Sequence, residues 1–303
     1  MKKTLISVVG PTAIGKTKLA IALAVKYNTA IISADSRQFF KEMNIGTAVP
    51  TSTELAAAQH YFIQHKSVLE SYSVGDFERE AIILIDKLFL KHEVLVLVGG
   101  SGLYVDAVTK GLDNFPEVAP EIRARLNQKF VTEGISALQE LLKKEDPAYF
   151  EKVDLQNPHR LIRALEICLG TGTPYSSFLA QTKPKRNFKV ISLGIEADRQ
   201  LIYDRINKRV DRMLANGLLE EVKSLLPYKD LNALQTVGYK ELFKYFEAEW
   251  DLDFAISEIK KNTRRFAKRQ LTWFKKNKET IWVKHHEHLD EILKKIDHHT
   301  YEK

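Results

Sequence analysis

Residues 10–17 read Gly10-Pro11-Thr12-Ala13-Ile14-Gly15-Lys16-Thr17 and match G-x-x-x-x-G-K-[ST] at every fixed position. That pattern functions only as strand, loop and helix in that order, because successive backbone N–H groups must converge on one concavity at a helix N-terminus. The flanks have this order: Thr4 to Val9 reads as a buried strand and Lys18 to Tyr27 as a helix. The glycines permit close backbone approach. Lys16 offers a mobile charge to phosphate oxygens, and the Thr17 hydroxyl is a hard donor suited to Mg²⁺. The loop says that a diphosphate is held here, without saying what the diphosphate is attached to.

The chain beyond Tyr27 extends the same architecture. Ala30–Ala34 and Val94–Val98 are short apolar runs of strand type, the second closed by Gly99-Gly100-Ser101-Gly102. Helical periods over Thr53–Gln59, Phe77–Leu90 and Leu103–Thr109 separate or follow them. Continuous apolar strands alternating with helices predict an α/β fold: a phosphate-loop NTPase-like parallel sheet flanked by helices. From Asn114 the pattern changes. Helical periods at 121–132, 135–143, 147–150 and 159–169 have no strand between them, so 114–187 is expected to be a smaller all-helical insertion domain within a core of 1–113 and 188–303. Val190–Ile195 returns as a strand. Asp198 stands at the N-cap position of the next helix, and Asn216-Gly217 ends it. A long helix over about 253–277 carries Ile256, Ile259, Thr263, Phe266, Gln270 and Trp273 on one stripe and basic residues on another. Trp282 falls in a short final strand. The last twenty residues, rich in His and Lys, read as a loose helix or tail.

With 44% hydrophobic residues in 303, the chain can bury a sizeable core, and its net charge of +7 is a mild pointer to a polyanionic partner. The single cysteine, Cys168, excludes an intrachain disulfide and suits a reducing, cytoplasmic home. The opening MKKTLISVV imitates a secretory leader, but Gly10 and Pro11 end the apolar run early, and no stretch approaches the length of a membrane span.

The chemistry-bearing residues leave choices open. The strand at 94–98 ends in Gly99-Gly100-Ser101, where many phosphate-loop enzymes place an acid; the strand at 30–34 ends in Asp35 instead. Asp35 suits orientation of Mg²⁺, acceptance of a proton from a nucleophile, or simply the capping of a turn. Arg205, Arg209 and Arg212 share a helix face, which fits neutralisation of a departing pyrophosphate and equally a solvated basic face. Lys260, Lys261, Arg264, Arg265, Lys268 and Arg269, flanked by aromatics, suit a nucleic-acid backbone or a soluble helix face.

Eight segments in order, GPTAIGKT (10–17), ISADSRQ (32–38), MNIGTAVP (43–50), LVGGSGLY (97–104), HRLIRALEI (159–167), RVDRMLANGLLEEV (209–222), QTVGYKE (235–241) and TRRFAKRQLTWFKK (263–276), resemble the tRNA dimethylallyltransferases, bacterial type, over nearly the whole chain. The resemblance implies transfer of a dimethylallyl group from its diphosphate to the exocyclic N6 amine of the adenosine immediately 3′ of a tRNA anticodon, with Mg²⁺ as cofactor. It implies Asp35 as general base, and Lys16, Thr17 with Mg²⁺, the loop amides and Arg209 as stabilisers of the leaving diphosphate. Ser101 matches a hydroxyl that contacts the target nucleotide. Ser36, Arg37, Gln38, Arg123, Gln156, Asn157, Pro158, His159, Arg160, Gln235, Thr236, Val237, Gly238, Tyr239, Lys240, Lys268, Arg269, Gln270, Trp273 and Lys275 match tRNA-contacting positions. Two departures stand out: Ile14 replaces a common Ser, and Ser101 a common Thr. The expected partners are a tRNA anticodon stem-loop and dimethylallyl diphosphate, with no membrane and with a monomeric chain. The competing readings are a prenyltransferase acting on free adenine nucleotides, a small-molecule kinase on the same loop, and a non-catalytic RNA-binding protein.

Overall fold

A computed structural model of the chain describes residues 3–179 and 185–301. By contact density the chain divides into two compact units, 1–109 with 186–303 and 110–185, a few residues from the boundaries expected from the sequence.

The first unit opens with β1 (Thr4–Val9), α1 (Lys16–Lys26), β2 (Ile31–Ser33), α2 (Ser52–Ala57), β3 (His60–Tyr61), α3 (Val74–Phe89), β4 (Val94–Gly99) and α4 (Gly102–Lys110). The helical unit contributes α5 (Pro120–Glu145), α6 (Pro147–Phe150), α7 (Pro158–Thr171) and α8 (Tyr175–Leu179). The chain then returns as β5 (Lys189–Glu196), α9 (Arg199–Ala215), α10 (Leu218–Ser224), α11 (Tyr239–Phe246), α12 (Leu252–Phe274), β6 (Ile281–Lys284) and α13 (Leu289–Tyr301). The sheet runs β3-β2-β4-β1-β5-β6, and every pairing is parallel.

β1 lies between β4 and β5 with all six residues buried, as its apolar character demands. Side chains alternate across the pleat. Leu5, Val9, Leu95 and Leu97 join Phe77, Ala81 and Ile85 of α3 on one face. Ile6, Val8, Val96, Ile191 and Leu193 join Ala20 and Leu23 of α1 and Ile202 and Ile206 of α9 on the other. Ile292 and Ile296 of α13 enter this second core, so the C-terminal segment is a docked helix and not a tail. In the helical unit, Leu126, Leu138 and Leu142 of α5 pack on Leu161, Ile162 and Leu165 of α7. Gly134, at φ 78°, kinks α5 between the two helical periods read from the sequence.

The structure adds local detail to this reading. Asp198 holds the cap position of α9, but its side chain makes no capping bond. The stripe on α12 is not uniformly core: Phe266 and Trp273 stay 38% and 37% exposed, while Ala255, Ile259, Ala267 and Phe274 are buried. The short elements β3 and α8 are too brief to have a legible period, whereas α11 has one, with Tyr239, Leu242 and Phe243 on its buried side.

Candidate active site

The loop after β1 takes the conformation its glycines allow. Gly10 (φ 145°) and Gly15 (φ 108°) are left-handed, and Ala13 joins them at φ 62°. A Cβ on Gly10 would lie 2.9 Å from the Ile195 carbonyl oxygen of β5. α1 begins with no side-chain cap and no acid in its first turn, which leaves its N-terminal amides and partial positive charge for an anion. The Lys16 ammonium is withdrawn from solvent, although part of its side chain is exposed, and donates to Pro11 O at 2.9 Å. Desolvation lowers its pKa to about 8; nearby Asp35 opposes that shift and Arg209 adds to it.

The arginine row of α9 turns onto this loop. Arg205 donates to Ile14 O at 3.1 Å and Arg209 to the Thr12 hydroxyl at 3.2 Å. Burial pushes the Arg209 pKa down, countered by Asp35. Arg212 borders the same cavity but is exposed, so Arg205 and Arg209 turn onto the loop while Arg212 stands at the solvent edge.

β2 ends beside β4, where Ala34 N donates to Val98 O at 2.7 Å. The turn beyond closes through the Asp35 main-chain carbonyl, which accepts from Gln38 N at 3.0 Å and leaves the carboxylate facing the cavities. Lys16, Arg37 and Arg209 all sense its charge. Ser101 Oγ accepts from Ser36 N and lies 3.1 Å from Ser36 Oγ.

Two cavities meet here. One, of about 870 Å³, is lined by residues 12–18 with Arg205, Arg209 and Arg212. The other, of about 770 Å³, is lined by Ser101, Gln235–Gly238, Lys240, Phe266, Arg269 and Trp273. Thr12, Asp35, Thr47, Arg209 and Met213 border both. The site therefore stands at the carboxyl ends of β1, β2 and β4, where open parallel sheets bind ligands.

Several residues expected to touch RNA are occupied within the protein. Arg37 donates to the Asn232 and Ala233 carbonyls, and Gln38 to those of Thr47 and Ala48. Tyr239 is 0% exposed, its hydroxyl donating to Glu221 at 2.7 Å. Gln270 is buried and bonded at both ends of its amide. Trp273 donates from Nε1 to Asp106 at 3.0 Å, and exposed Lys275 lies over the Trp282 ring. Exposed Lys268 stands on the same helix. Arg123 and residues 156–160 belong to the helical unit. There Arg123 makes a two-point bond to Glu166, Asn157 caps α7 through Arg160 N, Pro158 holds its first turn, and Gln156, His159 and Arg160 are exposed.

Sequence reasoning missed the roles of Glu221, Thr47 and Met213. The Glu221 carboxylate accepts from the consecutive amides of Asn44, Ile45 and Gly46, and so fixes the loop that carries Thr47. Only the segment MNIGTAVP signalled this loop, and nothing local linked it to α10.

Fold and site together define a phosphate-loop α/β protein whose anion cradle opens through one carboxylate into a second, aromatic-walled chamber. The IPP transferase family model matches residues 38–277, and the chain belongs to that family. It is 61% identical to a tRNA dimethylallyltransferase of Christiangramia forsetii, over 98% of both chains. It is 49% identical to tRNA dimethylallyltransferase 1 of Bacteroides thetaiotaomicron, over 96% of this chain and 94% of that one. Among solved structures it is similar to a tRNA isopentenylpyrophosphate transferase of Bacillus halodurans (TM-score 0.71, 36% identity, 99% and 96% covered). It is also similar to a eukaryotic dimethylallyltransferase acting on tRNA (TM-score 0.80, 25% identity, 93% and 74% covered).

Proposed function

We propose that this chain transfers the dimethylallyl group of dimethylallyl diphosphate to the N6 amine of the adenosine immediately 3′ of a tRNA anticodon, releasing diphosphate. The observation that carries this reading is the position of Asp35 at the junction of the two cavities. The donor's diphosphate occupies the cradle of residues 12–17, and the target adenosine, turned out of its stack, enters from the chamber beside α12. The allylic carbon–oxygen bond breaks, the amine nitrogen forms the new carbon–nitrogen bond, and its proton passes to Asp35. That amine is a poor nucleophile because its lone pair is delocalised into the purine, so a fixed base is needed. Negative charge gathers on the departing oxygen, where Lys16, Arg209 and the loop amides stabilise it. Ser101 holds the nucleotide from the other side.

Thr17 and Asp35 both border the cradle and offer hard oxygen donors. Among the described residues no cluster of three or more His, Cys, Asp or Glu forms a self-sufficient metal site. Such a donor set fits Mg²⁺, which keeps several waters and is shared with substrate phosphates. When bound, the ion neutralises diphosphate charge. The single cysteine accords with the cytoplasm. No helix among the described residues is long and apolar enough to cross a membrane.

The test is mass analysis of an anticodon stem-loop incubated with the purified chain, Mg²⁺ and dimethylallyl diphosphate, beside parallel reactions with AMP, ADP and ATP. A prenylated adenosine in the stem-loop alone is expected. Preferential prenylation of free nucleotides would replace tRNA as the substrate.

A further inference from the structure

We propose that Gln270 is a positioning residue that ties the diphosphate loop to the helix lining the acceptor chamber; this rests on reading residues 10–17 as the donor cradle. Its side chain is 6% exposed. Oε1 accepts from Thr12 N at 2.8 Å, and Nε2 donates to Gly100 O at 2.9 Å. A main-chain N–H only donates and a carbonyl only accepts, so the two partners fix which way the amide faces. A carboxylate or an aliphatic chain of the same size cannot satisfy both. The fit is close: a Cβ on residue 100 would come within 2.4 Å of Nε2, so the strut requires glycine there.

Thr12 is held from its other side by Arg209, which donates to its hydroxyl at 3.2 Å. Thr12, one of the residues bordering both chambers, is thus clamped by one side chain from α9 and one from α12. With its N–H given to Gln270, Thr12 does not turn that amide to the diphosphate, and the cradle is built from the amides that follow. Gln270 lines the acceptor chamber together with Phe266, Arg269 and Trp273 of α12, and so does Gly100. Both of its amide atoms are already engaged, however, Oε1 by Thr12 of the phosphate loop and Nε2 by Gly100. Gln270 therefore acts on the donor through Thr12, with no polar atom left over for RNA.

Two near-isosteric variants test this. Gln270→Met removes both hydrogen bonds; Gln270→Glu can keep the bond from Thr12 but sets a carboxylate against the Gly100 carbonyl. Folding is checked by thermal melting, and the dissociation constants of inorganic pyrophosphate and of an anticodon stem-loop are measured by calorimetry. Both variants are expected to bind pyrophosphate about tenfold more weakly, the scale of one buried hydrogen bond, and to raise donor KM in step. Stem-loop affinity and RNA KM should stay within about twofold, a split that general loosening of the fold would not produce. Unchanged pyrophosphate affinity in either variant would overturn the proposal, and so would a stem-loop loss as large as the pyrophosphate loss. If the wild-type protein itself bound no pyrophosphate, the donor-cradle reading would fall and take this one with it.

Discussion

The donor cradle and the acceptor chamber share Asp35 yet are built in different ways. The cradle is mostly local: eight consecutive residues, a strand before and a helix after, whose uncapped main-chain amides are open to an anion, with Arg205 and Arg209 added from α9. The acceptor chamber is assembled from segments as distant as Ser101 and Trp273, and its binding groups are side chains. Backbone groups tolerate change at the side-chain positions, which is how Ile14 can stand within the cradle, buried and apolar. Side-chain walls have no such tolerance. Substitutions in the two regions should therefore fail differently, the cradle in chemistry and donor binding, the chamber in RNA affinity and salt response.

The largest effect belongs to the shared carboxylate. Asp35→Ala should lower kcat by about 10²- to 10⁴-fold, the range for loss of a general base, with stem-loop affinity held within about twofold. Single-turnover kinetics and a binding isotherm measure both. An equal loss of RNA affinity would move Asp35 from the chemistry to the RNA surface.

Arg209→Ala comes next. Its guanidinium is buried and donates to Thr12 of the cradle, so kcat should fall by about 10²- to 10³-fold, as for removal of one preorganised donor. If RNA binding fell instead, the division between the two regions would be wrong at this helix.

A third effect depends on pH. Burial lowers the Lys16 pKa to about 8 from 10.5. Between those values an unfolded chain binds more protons than the folded one, so this group's penalty on folding is full below about pH 8 and fades as pH rises to 10.5. Donor binding runs the other way. A diphosphate favours the ammonium, so its binding takes up a proton above pH 8 and affinity should fall by up to about tenfold per pH unit. Calorimetry of pyrophosphate binding from pH 7 to 9.5 measures this slope. Lys16→Met should bind weakly and without it; a slope that survives in that variant would assign the titration to another group.

The same contrast explains what was legible. β1, the loop and α1 were readable because the motif, the apolar run and the helical period are all local. The parallel sheet followed from strand–helix alternation. Asp35 could be placed at a strand end, but its choice between base, metal ligand and turn cap depended on what α9 and α12 bring to it. Gln270 shows the limit most clearly. On a helical wheel it joins Phe266 and Trp273, which face the chamber, yet its amide is committed to Thr12 and Gly100, residues 258 and 170 positions away. Arg37 and Arg123 likewise carry the charge expected of RNA contacts while being spent on carbonyls and on Glu166. Residue type predicts what a side chain can bind; only packing decides what it does bind.

That distinction selects the cations for the smallest effect. Lys261 is paired with Glu258, Lys260 with Asp211, and Arg264 with Asn207. Lys268, Arg269 and Lys275 are exposed on the last turns of α12 and just beyond it. Arg269 stacks over the Phe266 ring and borders the chamber, a geometry that presents a guanidinium edge to a phosphate. If all three meet RNA phosphates, replacing them together by Ala removes three counterion-releasing contacts. The slope of log affinity against log salt should then become shallower by about two to three, while kcat at saturating stem-loop changes little. Replacing Lys260, Lys261 and Arg264 instead should shift the slope by less, because their charge is already partly spent on neighbours. Equal slopes for the two triple variants would mean that ion pairing on α12 does not sort its cations, and that the RNA reads the helix as one continuous basic face.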